Sequence, residues 1–358
     1  MGTHRVSVSF PVIAAAALVA AAGLGITPGI SGASAAPNPG SSGYHLKKKI
    51  KVGGEGGWDY LTFDSATRRM FISRGTKVIV LDVDADKVVG QIPDTQGVHG
   101  IALAHEFNRG FVSNGRTNNV TIFDLKTLAT VGHAAAGQNP DAIIYDPGSK
   151  RVFAMNGRSG DITAIDAATG DVSGTIPVGG KLEFAAADGK GRIFVNVEDK
   201  NEIAEIDSKK LIVLARWPLA PCEEPSGLAI DAENGRLFAG CGNKMMAVVD
   251  TESGKVVATP AIGDGVDANG FDPGTAFAFA SCGEGVLTVV HEDSPDRFSV
   301  VENVPTQRGA RTMTLDPKTH EVYLVTADFG PRPEPTKDNP RPRPAMLPDS
   351  FTVLVLSR

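Results

Sequence analysis

Seven polar residues, Asp59, His99, Asp141, Glu183, Ser226, Asp267 and Arg311, follow one another at intervals of 40 to 44 positions. Four are carboxylates, one is an imidazole and one a guanidinium. If a fold brings them together, the carboxylates raise one another's proton affinity, and at least one can serve as an acid or base. His99 is then the candidate base, or itself a ligand of a divalent metal, with Asp59, Asp141, Glu183 or Asp267 as the other candidate ligands. The same ring would also suit a small cationic or hydrogen-bonding ligand. The plainer alternative is a wet polar rim in which Arg311 pairs with Asp59. A repeated turn would carry one residue type in every copy, so the mixture of types favours a specific ligand.

The elements that must position these residues are visible as a repeat. An aromatic recurs at Phe71, Phe111, Phe153, Phe194, Phe238, Phe279 and Tyr323, with spacings of 40, 42, 41, 44, 41 and 44. Before it comes a turn with Asp64, Asp146, Asp188, Asp231, Asp272 or Asp316; Ala104 stands there in the second copy. After it comes an apolar run ending in Asp82, Asp124, Asp166, Asp207 or Asp250, replaced by His291 and Ser357 in the last two copies. Each copy divides into four short strands bounded by Gly, Asp and Asn. In the fifth these are Gly227–Ile230, Arg236–Ala239, Met245–Val249 and Lys255–Thr259. Such a sheet has two apolar faces and cannot bury them alone. Radial stacking of neighbours solves this, which predicts an all-β, seven-bladed propeller of four-stranded antiparallel blades.

The approximate blades are 53–95, 96–137, 138–180, 181–224, 225–265, 266–309 and 310–358. The seventh copy ends on its third strand, Phe351–Leu356, while Tyr44–Val52 is an unclaimed strand ahead of the first. Residues 44–52 are therefore expected to complete blade seven and cover its open edge. Phe153-Ala154-Met155-Asn156-Gly157 followed by Ile162-Thr163-Ala164-Ile165-Asp166 resembles the YVTN-type repeat, as does Phe111-Val112-Ser113-Asn114-Gly115 with Val120–Asp124. Over roughly residues 44–358 the chain is similar to YncE-like propellers of bacterial envelopes. That resemblance implies architecture rather than a single activity.

The N-terminus reads as a signal peptide over residues 1–35: Arg5, an apolar run from Pro11 to Ile26, then Ala33-Ser34-Ala35. A secreted or periplasmic protein follows, with residues 36–43 a flexible mature N-terminus and no later segment long and apolar enough to span a membrane. The whole chain carries a net charge of −6. Cleavage removes one base and no acid, leaving −7, which argues against nucleic acid as a partner. The family's reported single-stranded DNA binding meets the same objection. A monomer is expected.

Strand a lines the channel of a propeller, so the seven polar residues would ring one mouth. The b–c loops open on that face. They carry Arg74, Asn114-Gly115-Arg116, Asn156-Gly157-Arg158, Glu198, Cys241-Gly242-Asn243-Lys244 and Cys282-Gly283-Glu284. Asn-Gly pairs are read as turn residues accepting positive φ. Blade seven has a Pro-rich insertion, 330–348, with Arg332, Arg341 and Arg343. It is expected to fold over the mouth with its arginines facing the acids, or else to stand free as a solvated loop or docking arm. Cys222 and Cys241 fall at the same end of blade five, where a disulfide would fit. Cys282 holds the equivalent place in blade six and is either the alternative partner or a free thiol.

No C-x-x-C, H-E-x-x-H or G-x-S-x-G pattern is present, and there is no covalent haem motif. The two tryptophans, Trp58 and Trp217, are too few for a Trp-lined quinone-cofactor propeller. Two functions remain. One is a scaffold binding a small molecule or protein partner on the mouth face. The other is a metal-dependent lyase- or lactonase-type enzyme using His99 and the channel carboxylates, its cofactor a divalent metal.

Overall fold

The computed structural model describes residues 41–337, 342 and 344–358. Residues 1–40, with the expected signal peptide, and Arg341 and Arg343 lie outside the described residues. The chain forms seven four-stranded antiparallel sheets, six of them built from consecutive strands a to d. Strand a of each blade packs against strand a of both neighbours, and Thr312–Asp316 of blade seven meets Leu61–Asp64 of blade one, so the ring closes.

The repeat aromatics explain why the blades stack. Phe71, Phe111, Phe153, Phe194, Phe238, Phe279 and Tyr323 are all at most 1% exposed. Among the described residues, the buried apolar side chains gather into seven clusters, each shared by two neighbouring blades. Phe71 of blade one packs on Phe123 of blade two, and Phe63 of blade one stacks on Tyr323 of blade seven. No blade therefore has a core of its own. Each buried aromatic contributes about 2–3 kcal/mol, and it does so only once the next blade is in place.

The two recurring aspartates are turn chemistry. Asp64 accepts the backbone N–H of Ala66, Asp146 those of Gly148 and Ser149, and Asp231 that of Glu233. Asp82, Asp124, Asp166, Asp207 and Asp250 accept two backbone N–H groups each in the c–d turns. Such turns mimic a backbone turn and need a short carboxylate. The second copy, with Ala104, uses a short 3₁₀ turn over His105–Phe107 instead.

The N-terminal strand, His45–Lys51, pairs antiparallel with the C-terminal strand, Thr352–Ser357, and supplies the outer strand of blade seven. Beyond that pairing, Tyr44 packs edge-on against Phe277 and Phe279 of blade six. Two readings of the b–c loops change. Gly115 and Gly157 are not in the positive-φ region; Asn118 (φ 52°) and Gly160 (φ 68°) are. Asn114 and Asn156 end strand b with their amides bonded to Thr121 and Thr163 on strand c, so they brace the hairpin rather than turn it. Arg74 is also not a loop residue on the open face, because its side chain is 1% exposed.

The Cys222–Cys241 disulfide ties the approach to strand a of blade five to the end of strand b, and Cys282 is buried and free. Closing a loop of this size is worth about 3 kcal/mol. Among the described residues no helix is long and apolar enough to cross a membrane.

Candidate site at the channel mouth

A local irregularity aims the ring residues. In blades two to six the a–b pairing slips at the start of strand a: between Val98 and Ile101, Pro140 and Ile143, Leu182 and Ala185, Pro225 and Leu228, and Val266 and Ala268. His99, Asp141, Glu183, Ser226 and Asp267 sit in those slips. A bulge bends the strand and re-aims a side chain, and it leaves backbone groups unpaired. In blades one, two, four and six a polar residue two positions after the repeat aromatic bonds these backbone groups. Ser113 Oγ accepts Gly100 N–H (2.8 Å) and donates to the Asp141 carbonyl of the next blade. Asn196 donates to the carbonyls of Ser226 (2.9 Å) and Gly227 (3.1 Å). Ser281 donates to the carbonyls of Ala268 and Arg311, and Ser73 accepts Asp59 N–H at 2.9 Å. Sequence reasoning missed these four positioning residues, although their fixed offset from the aromatic was a usable signal.

His99, Asp59 and Asp141 come together. His99 Nδ1 lies 2.6 Å from Asp59 Oδ2 and 3.6 Å from Asp141 Oδ1, so it is held between carboxylates of the two flanking blades. On its other edge the imidazole packs on Gly115, where an added Cβ would sit 2.7 Å from Nε2. Burial acts to lower the His99 pKa, but the Asp59 hydrogen bond and the charges of Asp141, Asp59 and Glu183 outweigh it and raise the value. One ligand atom from each of these three residues lies within 4.8 Å of the others.

Glu183 and Asp267 complete the acidic wall. Burial, reinforced by neighbouring carboxylates, pushes Asp141 and Asp267 up to about 6 and Glu183 up to about 8. Lys181 lies 2.9 Å from Glu183 and also bonds Glu198, yet this does not offset the burial. Arg311 faces Asp267, with Nε 3.5 Å from Oδ2, instead of pairing with Asp59 across the closure. Blade order leaves both acids beside Arg311, and side-chain geometry selects Asp267 as the nearer charge. Ser226 lines the same cavity of about 460 Å³.

The floor of this cavity is Tyr60 against Phe184, stacked across the channel. Below them lies a larger cavity of about 590 Å³, lined mainly by apolar residues such as Ile101, Ile143 and Ala185. Its charged groups are His105 and Asp64, 3.2 Å apart. The smaller, acidic cavity is the better candidate because groups of matched chemistry converge there. The described stem of the Pro-rich insertion stands at the rim of the mouth: Phe329 bridges to Met346, and Gly330 N–H reaches the Ala345 carbonyl.

No protein-family model matches the chain, and no curated protein matches it. Solved structures do. The chain is similar to one from Kuenenia stuttgartiensis hydrazine synthase at 16% identity and TM-score 0.65, covering 79% of this chain and 95% of that one. It is similar to a chain of a mitotic checkpoint complex at 14% identity and TM-score 0.71, covering 93% and 98%. It is also similar to U3-55K at 8% identity and TM-score 0.71, covering 88% and 99%. At these identities the likeness extends to the propeller fold alone.

Proposed function

We propose that this chain is a binding scaffold whose channel-mouth face takes a small cationic ligand, a divalent metal ion being the simplest. The observation that carries the reading is His99 Nδ1 lying between Asp59 and Asp141 at the edge of an acidic, floored cavity. A cation there would compete with the protons that the raised pKa values of His99 and Asp141 favour. Residues 1–35 support export, so the scaffold would work in the periplasm or outside the cell. The repeat supports a place among YncE-like YVTN propellers.

The test is metal content and calorimetric titration of residues 36–358 beside a His99→Ala/Asp141→Ala variant. One divalent ion per chain, lost in the variant, is the expected result. Binding should be tighter at about pH 8 than at about pH 6, because His99 and the carboxylates must give up protons. No binding of any common divalent ion would remove the metal and leave a partner-binding face.

A metal-dependent lyase or lactonase is the second reading. It is favoured by three ligand residues beside open cavity volume, the number that catalytic zinc sites use. Turnover of a lactone panel by metal-loaded protein, abolished by His99→Ala, would support it over a scaffold.

A further inference from the structure

We infer that a second subsite beside the acidic ring, formed by Arg308, Arg311, Arg332, Trp58 and Phe329, binds a small organic anion: a carboxylate or phosphate carried on a planar apolar body. These residues line one cavity of about 480 Å³ at the blade six–seven–one edge of the mouth, with Pro344 as part of its wall. It adjoins the acidic cavity, since Arg311 and Gly265 line both.

Among the described residues, two of the three guanidiniums here have no carboxylate partner. Among the described residues, neither Arg308 nor Arg332 has a side-chain hydrogen bond or ion pair. Arg311 has only Asp267 at 3.5 Å. By contrast, Arg68, Arg192 and Arg236, on other parts of the propeller, each engage a carboxylate by direct hydrogen bonds. Planar guanidinium forks match carboxylate and phosphate oxygens two at a time.

The aromatic wall is built. Trp58 and Phe329 lie with ring centroids 6.1 Å apart, and Trp58 is backed by Phe351 at 5.2 Å. Phe329 keeps 37% of its surface exposed. It can lie there because residue 309 is glycine (φ +83°): a Cβ would come within 3.0 Å of the ring. The two legs of the insertion that carry Arg332 and Pro344 are tied together by Gly330 N–H to the Ala345 carbonyl and Leu347 N–H to the Asp328 carbonyl. An open ring face beside arginines suits a ligand with a planar body and a negative end. The inference does not rest on cation binding at His99, because none of its residues belongs to that cluster.

Trp58 is one of two tryptophans, and the other, Trp217, is 8% exposed against Phe194. Tryptophan emission of metal-free protein, titrated with phenyl phosphate and separately with benzoate, therefore reads this cleft. The expected result is a saturable change for at least one of them at about millimolar concentration or below. It should weaken at least tenfold in Arg308→Ala/Arg332→Ala, recover partly in Arg308→Lys/Arg332→Lys, and weaken with added salt. The better of the two probes identifies the anion. No saturable change with either probe would overturn the inference. So would a change untouched by the double alanine variant, or one that phenol reproduces at equal affinity. Both arginines are exposed, and unchanged thermal unfolding of the variants would exclude misfolding.

Discussion

Tyr60 of blade one and Phe184 of blade four stack across the central channel, with ring centroids 4.3 Å apart and planes 29° from parallel. They directly follow Asp59 and Glu183 in the chain, so the strands that present two of the acids also seal the space beneath them. This floor stands between the acidic cavity and the larger one, since both rings line both. It also keeps water from the underside of Glu183, whose high pKa comes first from burial.

Phe184→Ala should join the two cavities and wet that floor. The Glu183 carboxyl, raised to about 8, should then titrate at least about one unit lower, towards its ordinary value of 4.5. Carboxyl-carbon NMR of Glu183 across the pH range checks this. Loss of the stacked ring should also cost about 2–4 kcal/mol in denaturant unfolding. An unmoved Glu183 in a destabilised variant would assign its shift to Asp141 and not to burial.

The mouth also sets a pH dependence of stability. Asp141, Glu183, Asp267 and His99 are all raised in the folded chain, so the native state holds protons that the unfolded chain has released. Stability is then lost as pH rises, from the ordinary carboxylate values of 3.8 and 4.5 up to about 8. Below that window the opposite group of acids dominates. Asp188 and Asp316, held down by backbone and Arg partners, lose stability when protonated. Metal-free protein should melt higher at about pH 5.5 than at about pH 8, by roughly 2–4 °C for each kcal/mol involved. Glu183→Gln should flatten the upper part of that slope. A melting temperature that rises steadily to pH 8 would mean the carboxylates are not buried together.

The ring of polar residues and the blade frame were legible because both recur at the blade period: the aromatic at the inter-blade core and the aspartates in the turns. The bulge was not legible, because it is a slip in pairing and not a residue type. Nor was the Tyr60–Phe184 stack, whose partners belong to blades that are not neighbours in the chain. The partner of Arg311 was misread for a related reason. Ring order gives it two neighbours, and only side-chain geometry selects Asp267 over Asp59. Arg74 shows the limit most plainly, since its place in a b–c connection implied an exposed cation.

Arg74 is instead buried at the seam where the ring closes. Its guanidinium donates to the carbonyls of Gly54 (2.8 Å) and Gly56, and reaches that of Gly53 (3.4 Å). It also stacks over Phe351, with Cζ 3.9 Å from the ring centroid. Among the described residues no carboxylate pairs with it, and burial pulls its pKa down to about 10. It thus joins strand b of blade one to the segment leaving the N-terminal strand and to the start of the last strand of blade seven. Arg74→Met fills the space but leaves the glycine carbonyls without their donor, a loss of about 2–4 kcal/mol for hydrogen bonds to a charged group. Because those carbonyls follow His45–Lys51, the loss should appear first as faster amide exchange in that strand, ahead of global unfolding. Hydrogen-exchange mass spectrometry of the variant reads this. If exchange in residues 45–51 is unchanged, closure is carried by the strand pairing and by Tyr44 on blade six, and Arg74 only fills volume.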